Sequence, residues 1–552
     1  MSTLTLYEGR LRGDTGQDGE NGTGVSDIRQ SIVDNPLLDI LRNNKPEKTG
    51  NSLALDRDSE ALVTDRYGVN QWIPGDTITN YITESNDFSA WSDTNTNWQI
   101  NSTNNTDPFG GNTATEIELT ADTIPFNVMG LSVESLISGG WYRLSFYIKL
   151  ISGNSPSVNI KYGLNYDVTE TITANYQRVE VQLYGINSIT DLFISPQGLS
   201  GSKLHIFGVM LQRGRVTTDY LATTGSAVSI PNPSSSYRAN ELGYLLEGAK
   251  ENLITWSEDL TGSTWSLSSG TVGTYSGQDP FNDNGKNIQV SFGDDEVLTI
   301  SATGTFLSGQ AYTVSFWGLS LSGTIDSVTA SLSGSSVVNV DAIPTDEFKR
   351  ISVNVIAGAS GDLEVNITSI TKDAVFAFTG FQVEEDNITS YIATNIATLS
   401  RDYDNLSIPW FDNAPLISGE WSLFFAHNSI IINSENKYIL HNGLSGADEF
   451  YVRAKNSDIQ LRINNQTKTY SILSSSDVFL TFNGTDIKAY NNGDLFNSST
   501  ISTFTAALPN TLYIGTDNNG MNSTNAYLSS IQFWQEELTS NEVKYISDKA
   551  ES

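Results

Sequence analysis

Tyr142-Arg-Leu-Ser-Phe-Tyr-Ile-Lys-Leu150 alternates large apolar side chains with Arg143, Ser145 and Lys149. A period of two belongs to a β-strand with one buried face and one wet face. Leu363-Glu-Val-Asn-Ile367 and Ile459-Gln-Leu-Arg-Ile463 repeat the pattern. From about residue 76 onward nearly every break between such runs is filled by Gly, Asn, Asp or Ser, the residues that tight turns demand. The chain is therefore expected to be all-β, built of sandwiches or barrels.

Laid on itself, the chain shows an internal duplication. Asn80-Tyr-Ile-Thr-Glu-Ser-Asn-Asp-Phe88 matches Asn252-Leu-Ile-Thr-Trp-Ser-Glu-Asp-Leu260, 172 residues on. The same offset pairs Asp107-Pro-Phe109 with Asp279-Pro-Phe281, Tyr176-Gln-Arg-Val179 with Phe348-Lys-Arg-Ile351, and Gly208-Val-Met-Leu-Gln212 with Gly380-Phe-Gln-Val-Glu384. Small gaps bring in Thr218-Asp-Tyr-Leu-Ala-Thr223 with Thr389-Ser-Tyr-Ile-Ala-Thr394. Each copy is long enough for its own core. Two tandem sandwiches are expected, at 76–228 and 251–400, with the Pro- and Ser-rich stretch in 229–250 as linker.

Residues 401–552 do not fit the repeat and read as a third β domain. Asn483-Gly484 and Asn492-Gly493 each sit between short apolar runs, the signal of a two-residue hairpin turn. Thr539 and Glu542 form a capping box ahead of a final helix through Val543, Tyr545 and Ile546. At the other end, Gly13, Gly16, Gly19 and Gly22 hold a Gly-x-y period, too short and too poor in proline to make a triple helix alone. Two readings of it stay open, a flexible Gly-rich arm and a short trimeric stalk. Asn35, then Pro36 at a first helical position, then Leu37, Leu38, Ile40 and Leu41 predict one short helix that packs against partner chains. Residues 1–75 are thus expected to form an N-terminal arm.

Composition narrows function. At roughly 100 to 200 residues per domain, 552 residues suggest three or four domains. Sixty-three acids against 30 bases leave a net charge of −33, a field that repels nucleic acid and anionic lipid. No apolar run of about 18 residues is present to insert in a membrane, and Met1-Ser-Thr-Leu-Thr-Leu-Tyr-Glu8 lacks the marks of a secretory signal. With no cysteine, disulfides, thiolate metal sites and cysteine nucleophiles drop out. His205, His427 and His441 are too scattered for a metal motif. His205, in Lys203-Leu-His-Ile-Phe207, reads as a packed strand residue.

Gly243-Tyr-Leu-Leu-Glu-Gly-Ala-Lys-Glu-Asn-Leu-Ile-Thr-Trp-Ser-Glu-Asp-Leu260 resembles a segment common in tail-fibre and other virion proteins of tailed bacteriophages. There it opens a jelly-roll module similar to carbohydrate-binding domains, closed by a strand like Tyr391-Ile-Ala-Thr394. The C-terminal stretch with Val478-Phe-Leu-Thr-Phe-Asn-Gly484, Ala489-Tyr-Asn-Asn-Gly493 and Leu512-Tyr-Ile-Gly515 resembles a concanavalin A-like or laminin G-like lectin domain. The chain departs from the fibre pattern in carrying Lys250-Glu251 where Arg-Thr is usual, and the copy at Asn80 lacks the Leu-Leu-Glu lead-in. The resemblance implies a homotrimeric tail-fibre protein in the virion. Its residues 1–75 would anchor it to other tail proteins, and its distal modules would bind a bacterial surface glycan.

No catalytic motif is evident, so the chain is read as no enzyme. A structural virion component and a polysaccharide depolymerase remain alternatives, because a glycosidase needs only two suitably spaced carboxylates. Trp91, Trp98, Trp265, Trp317, Trp410, Trp421 and Trp534 suit either sugar stacking or core packing, and most are expected in cores. The ligand candidate is the polar loop Thr516–Asn525, where Asp517, Asn518, Asn519, Asn522 and Asn525 offer groups for glycan hydroxyls. Asp517 is also a Ca²⁺ candidate. An ordinary solvated loop is the competing reading, and no other cofactor is expected.

Overall fold

The computed structural model describes residues 38–40, 54–56 and most of 60–550. Within that span 65–69, 94–97, 123–128, 133–135, 163–165, 186–190, 232–243, 268–270, 282–287, 293–296, 410–419, 429–435, 472–476, 502–510, 518–522 and shorter stretches fall outside the description. The Gly-x-y stretch lies outside it too.

The first sandwich has one sheet in the order Gln177–Tyr184, Trp141–Ser152, Lys203–Arg213, Ala114–Leu119, Trp98–Asn105. The facing sheet runs Tyr166–Thr171, Ser157–Tyr162, Asp191–Gln197, Met129–Ser132, Ser92–Asp93. In the strand that opens at Trp141, Leu144, Phe146 and Ile148 are fully buried and Arg143 and Lys149 are part-exposed as expected, but Ser145, expected on the wet face, is buried because the Arg178 guanidinium covers it. Each such side chain contributes about 1.5–3 kcal/mol of burial.

The second sandwich repeats this order position by position. Lys349–Ile356, Ala311–Ser322, Ala374–Glu385, Ile288–Phe292 and Thr271–Thr274 face Val338–Asn339, Ile325–Leu332, Leu363–Ser369, Val297–Ala302 and Trp265–Leu267. In each sandwich two hairpins stay within one sheet, in the first Trp98–Asn105 with Ala114–Leu119 and Ser157–Tyr162 with Tyr166–Thr171, and the other connections cross between the sheets in the jelly-roll manner. Even the irregularities are duplicated. Gly208 and Gly380 both take φ 66, at matching register shifts opposite Ser145/Tyr147 and Ser315/Trp317. A Cβ at Gly380 would lie 2.6 Å from the rings of both Phe281 and Trp317, so the bulge requires glycine.

One side chain closes each sandwich. Asn80 Nδ2 donates to the carbonyls of Val209 (3.2 Å) and Leu221 (2.8 Å), while its Oδ1 accepts from the amides of Ile82 (3.0 Å) and Leu211 (3.1 Å). Asn252 does the same with Phe381 (3.1 Å), Ile392 (2.8 Å), Ile254 (3.2 Å) and Val383 (3.1 Å). Ser85 to Tyr220 and Ser257 to Tyr391, both at 2.6 Å, add a second matched tie. Arg178 and Arg350 each bridge a strand serine, Ser145 or Ser315, to a closing carbonyl, Thr218 or Thr389.

The third sandwich draws on distant parts of the chain. One sheet is Leu38–Ile40, Ala526–Trp534, Trp421–Asn428, Asp477–Phe482, Asp486–Asn491, Asp494–Thr500, and Tyr244–Leu246 also pairs with Ala526–Trp534. The other begins with Ala54–Asp56 and continues through Asn405–Pro409, Thr511–Ile514, Lys437–His441, Tyr451–Lys455, Asp458–Ile463 and Gln466–Ser471. Both Asn-Gly turns join neighbouring strands, and Asn492 (φ 47) with Gly493 (φ 81) has the positive angles of a type I′ turn. Thr539 and Glu542 make the capping box of the helix Ser540–Ala550. Its Val543 and Ile546 pack on Phe424, Phe479 and Trp534.

Two expectations change here. The short helix around Leu38 is instead a strand, antiparallel to the last strand with Leu38 opposite Phe533 and Ile40 opposite Ile531. A helix of that length is unstable alone, whereas the sheet edge supplies main-chain partners at once. Its partner is thus the chain's own C-terminal sandwich. The stretch read as a linker also contributes structure, since Tyr244–Leu246 forms a strand and Leu246 is fully buried in the third core.

Removing the Asn80 or Asn252 side chain strands several buried main-chain groups, at about 1–3 kcal/mol for each unsatisfied group. Asn80→Ala and Asn252→Ala should each destabilise by several kcal/mol, and Asp should not rescue because it donates nothing. Guanidinium unfolding of the full chain, followed as separate transitions, measures this; a loss under about 1 kcal/mol refutes the role.

Burial is the largest cause lowering the pKa of His205, His427 and His441, and His427 falls to about 4. The folded chain then refuses a proton that the unfolded chain binds below about 6.5. Stability from His427 is complete above that value and drains as pH falls towards 4. His427→Gln should shrink the difference between denaturant midpoints measured at pH 7 and pH 4.5.

Candidate functional site

A cavity of about 320 Å³ opens where the first sandwich, the hairpin Ala61–Thr64/Asn70–Ile73 and the closing segment of the second sandwich meet. The first sandwich lends Thr77, Thr79, Tyr81, Trp141 and Arg213, the hairpin region Glu60 and Trp72, and the second sandwich Tyr391, Ser400 and Arg401. Its size is that of a small-ligand site.

Arg215 organises the walls. Its side chain has no exposed surface, and its guanidinium lies 4.2 Å from the Trp141 ring centroid and 4.7 Å from that of Trp72. It pairs with Glu258 of the second sandwich at 2.7 Å, and its amide donates to Glu60 Oε2 at 2.6 Å. A planar cation between two indoles gains cation–π attraction while keeping its fork for a carboxylate. Behind it Trp72 meets Tyr391 at 6.2 Å. Burial first, then the Glu258 charge, raises the Tyr391 pKa well above its ordinary value, so this ring stays neutral. On the far side Arg401 pairs with Glu247, both nearly inaccessible. Glu247 also accepts from the Ser390 amide at 2.5 Å and hydroxyl at 2.7 Å.

Part of the lining is left unsatisfied. The indole N–H groups of Trp72 and Trp141 and Nε of Arg401 are buried with no hydrogen-bond partner. Buried donors in that state are costly. Of the lining residues Glu60 alone is a carboxylate, and hydrolysis of a glycosidic bond takes two.

Of the residues expected to bind ligand, only Asp517 is among the described residues. Asp517 is buried at 8% exposure in the third sandwich, near enough for its charge to raise the pKa of His441 against the larger opposing effect of burial. Asn518, Asn519, Asn522 and Asn525 lie outside the described residues. Among the described residues no group of three or more His, Asp or Glu could hold a metal ion. His205 is a packed strand residue, 3.5 Å from Glu116 and 3.3 Å from the Tyr176 hydroxyl. Trp91, Trp265, Trp317, Trp421 and Trp534 are buried, Trp98 is half-buried and Trp410 lies outside the description. The cavity residues Trp72 and Glu60 went unmarked in the sequence, because they precede the first repeat and meet it only through the fold. The one available signal was the Asp-Pro-Phe pair, since Phe281 marks the surface that the hairpin covers.

Residues 413–544 match the family described as the concanavalin A-like lectin/glucanases superfamily (Laminin_G_3). No curated protein matches the chain. Among solved structures, the tandem CBM22-1–CBM22-2 domains of Paenibacillus barcinonensis Xyn10C align at 12% identity and a TM-score of 0.22, covering 56% of this chain and 98% of that one. The receptor binding domain of botulinum neurotoxin C/D mosaic serotype aligns at 17% identity and a TM-score of 0.22, covering 27% of this chain and 40% of that one. The structural likenesses are too low to carry an argument about function. The chain is an all-β protein whose C-terminal sandwich is similar to the concanavalin A-like superfamily.

Proposed function

We propose that this chain is a non-enzymatic glycan-recognition protein of a bacteriophage tail fibre, assembled as a homotrimer in the virion. The observation that carries glycan recognition is the cavity between the repeats, lined by Trp72 and Trp141 together with hydroxyl-bearing Thr77, Thr79 and Ser400. Aromatic rings and hydroxyl groups in one lining suit the apolar faces and the hydroxyls of a sugar. The concanavalin A-like C-terminal sandwich supports the same reading. Placement in a tail fibre rests on the resemblance around Gly243–Leu260, and the trimer on that resemblance and the Gly-x-y arm. Several copies on one particle would convert weak single-site binding into useful avidity. At a net charge of −33, attachment to an anionic cell surface should weaken at low salt and improve with Ca²⁺, for which Asp517 remains the candidate ligand.

The test uses the full chain on bacterial surface polysaccharides, with and without Ca²⁺, with released reducing sugar assayed in parallel. Binding without release is expected. Thr77→Val and Ser400→Ala each remove an exposed lining hydroxyl, so folding should change little while affinity falls about tenfold per lost hydrogen bond, or about 1.4 kcal/mol. Release of sugar would identify a depolymerase. No binding to any polysaccharide would leave a structural component, and binding unchanged in both variants would move the site away from this cavity.

A further inference from the structure

In the third sandwich the strands Lys437–His441, Tyr451–Lys455, Asp458–Ile463 and Gln466–Ser471 turn Val452, Leu461 and Tyr470 into the core. Their alternate residues stand on the opposite face. Tyr438, Arg453, Gln460 and Thr469 are cross-strand neighbours in one row of that face, and Tyr451, Arg462 and Thr467 follow in the next.

Neutral groups hold Arg453 in place. Its Nε donates to Gln460 Oε1 at 2.9 Å and its Nη1 to the Tyr438 hydroxyl at 3.4 Å. The guanidinium lies 4.3 Å from the Tyr451 ring centroid and 5.8 Å from that of Tyr438. Both rings are buried, so the guanidinium is the outer layer. A guanidinium has five N–H donors; two are used here, and the half-buried side chain keeps the other three open to solvent.

The neighbouring carboxylates are engaged elsewhere. Glu449 pairs with Arg462 at 2.9 Å and lies 3.8 Å from His441. Asp458 stands across the ladder from Lys455, and Asp517 is buried. Among the described residues no carboxylate pairs with Arg453. Where acids outnumber bases 63 to 30, a fixed arginine without one is a place prepared for an anion from outside the chain. The planar fork matches a carboxylate, and its fixed position lowers the entropy lost on binding. Thr467 and Thr469, both exposed, and the Gln460 amide add groups that suit sugar hydroxyls.

We propose that this face is a second glycan site, selective for sugars that carry a carboxylate, with the Arg453 fork on that carboxylate and Gln460 and Thr469 on neighbouring hydroxyls. It shares no residue with the cavity between the repeats, and it rests on the glycan reading for the body of its ligand.

The test titrates the full chain with two matched pairs, trigalacturonate against its carboxyl-reduced form and 3′-sialyllactose against lactose, with Kd read by ligand-observed NMR. In at least one pair the acidic member should bind at least tenfold more tightly, and the pair that does so separates a uronate from a sialic acid. Gln460→Glu leaves Arg453 in place and gives it a carboxylate of its own, so the preference should vanish while the denaturant midpoint holds or rises. Arg453→Gln should abolish the preference too. Lys349→Gln, which removes an exposed cation on another sandwich, should leave it unchanged. A cavity that takes neutral sugar binds both members of a pair alike, so the ratio within a pair reports on Arg453 whether or not the cavity binds. Equal affinity or no binding in both pairs, a preference that survives Gln460→Glu, or one lost in Lys349→Gln overturns the proposal.

Discussion

The asparagine at the entrance of each repeat is the constraint on which the other features rest. A carboxamide is the smallest side chain that donates two hydrogen bonds and accepts two more from one rigid plane. Asn80 and Asn252 use all four, and so tie the entering segment, the long closing strand and the segment after it into one arrangement. With that knot tied, the tyrosine of the closing segment must fall beside the glycine bulge. Tyr220 and Tyr391 therefore occupy matching places, each bonded to its serine. The cavity, which Tyr391 lines, is built outward from there.

Buried ion pairs then orient the parts. Arg215 with Glu258 joins the first sandwich to the second. Arg401 with Glu247 holds the strand Lys250–Asn252 against Leu399–Arg401, while Glu247 and Asp404 exchange two further bonds of 3.0 and 2.8 Å. Pairs this deep return little net stability, because desolvation offsets most of their attraction. Their effect is on arrangement, since any other packing of the sandwiches would leave an unsolvated charge.

The third sandwich completes its sheets with Leu38–Ile40, Ala54–Asp56 and Tyr244–Leu246. Contacts of such sequence separation form late and slowly. They also mean that residues 401–552 alone would expose one edge of the strand Ala526–Trp534 and lose Leu246 from the core. The full chain is accordingly the unit whose binding has meaning.

What the sequence determined by itself is everything carried by local period or local geometry. The alternation at Tyr142–Leu150, the turns at Asn483-Gly484 and Asn492-Gly493 and the capping box of Thr539 and Glu542 each concern residues a few positions apart, where side-chain direction and backbone angle follow from residue type. The duplication was legible as well, because Asn80 and Asn252, and Tyr220 and Tyr391, meet matching partners one repeat apart. The tertiary structure alone decided the rest. The helical signal at Leu38 lost to a free sheet edge almost five hundred residues away. Phe109 and Phe281 share one motif, yet one is exposed and the other covered, because the hairpin at Leu62 reaches only the second repeat. The cavity of Trp72, Trp141 and Arg401 belongs to the same class, since its walls come from segments that only the folded chain brings together.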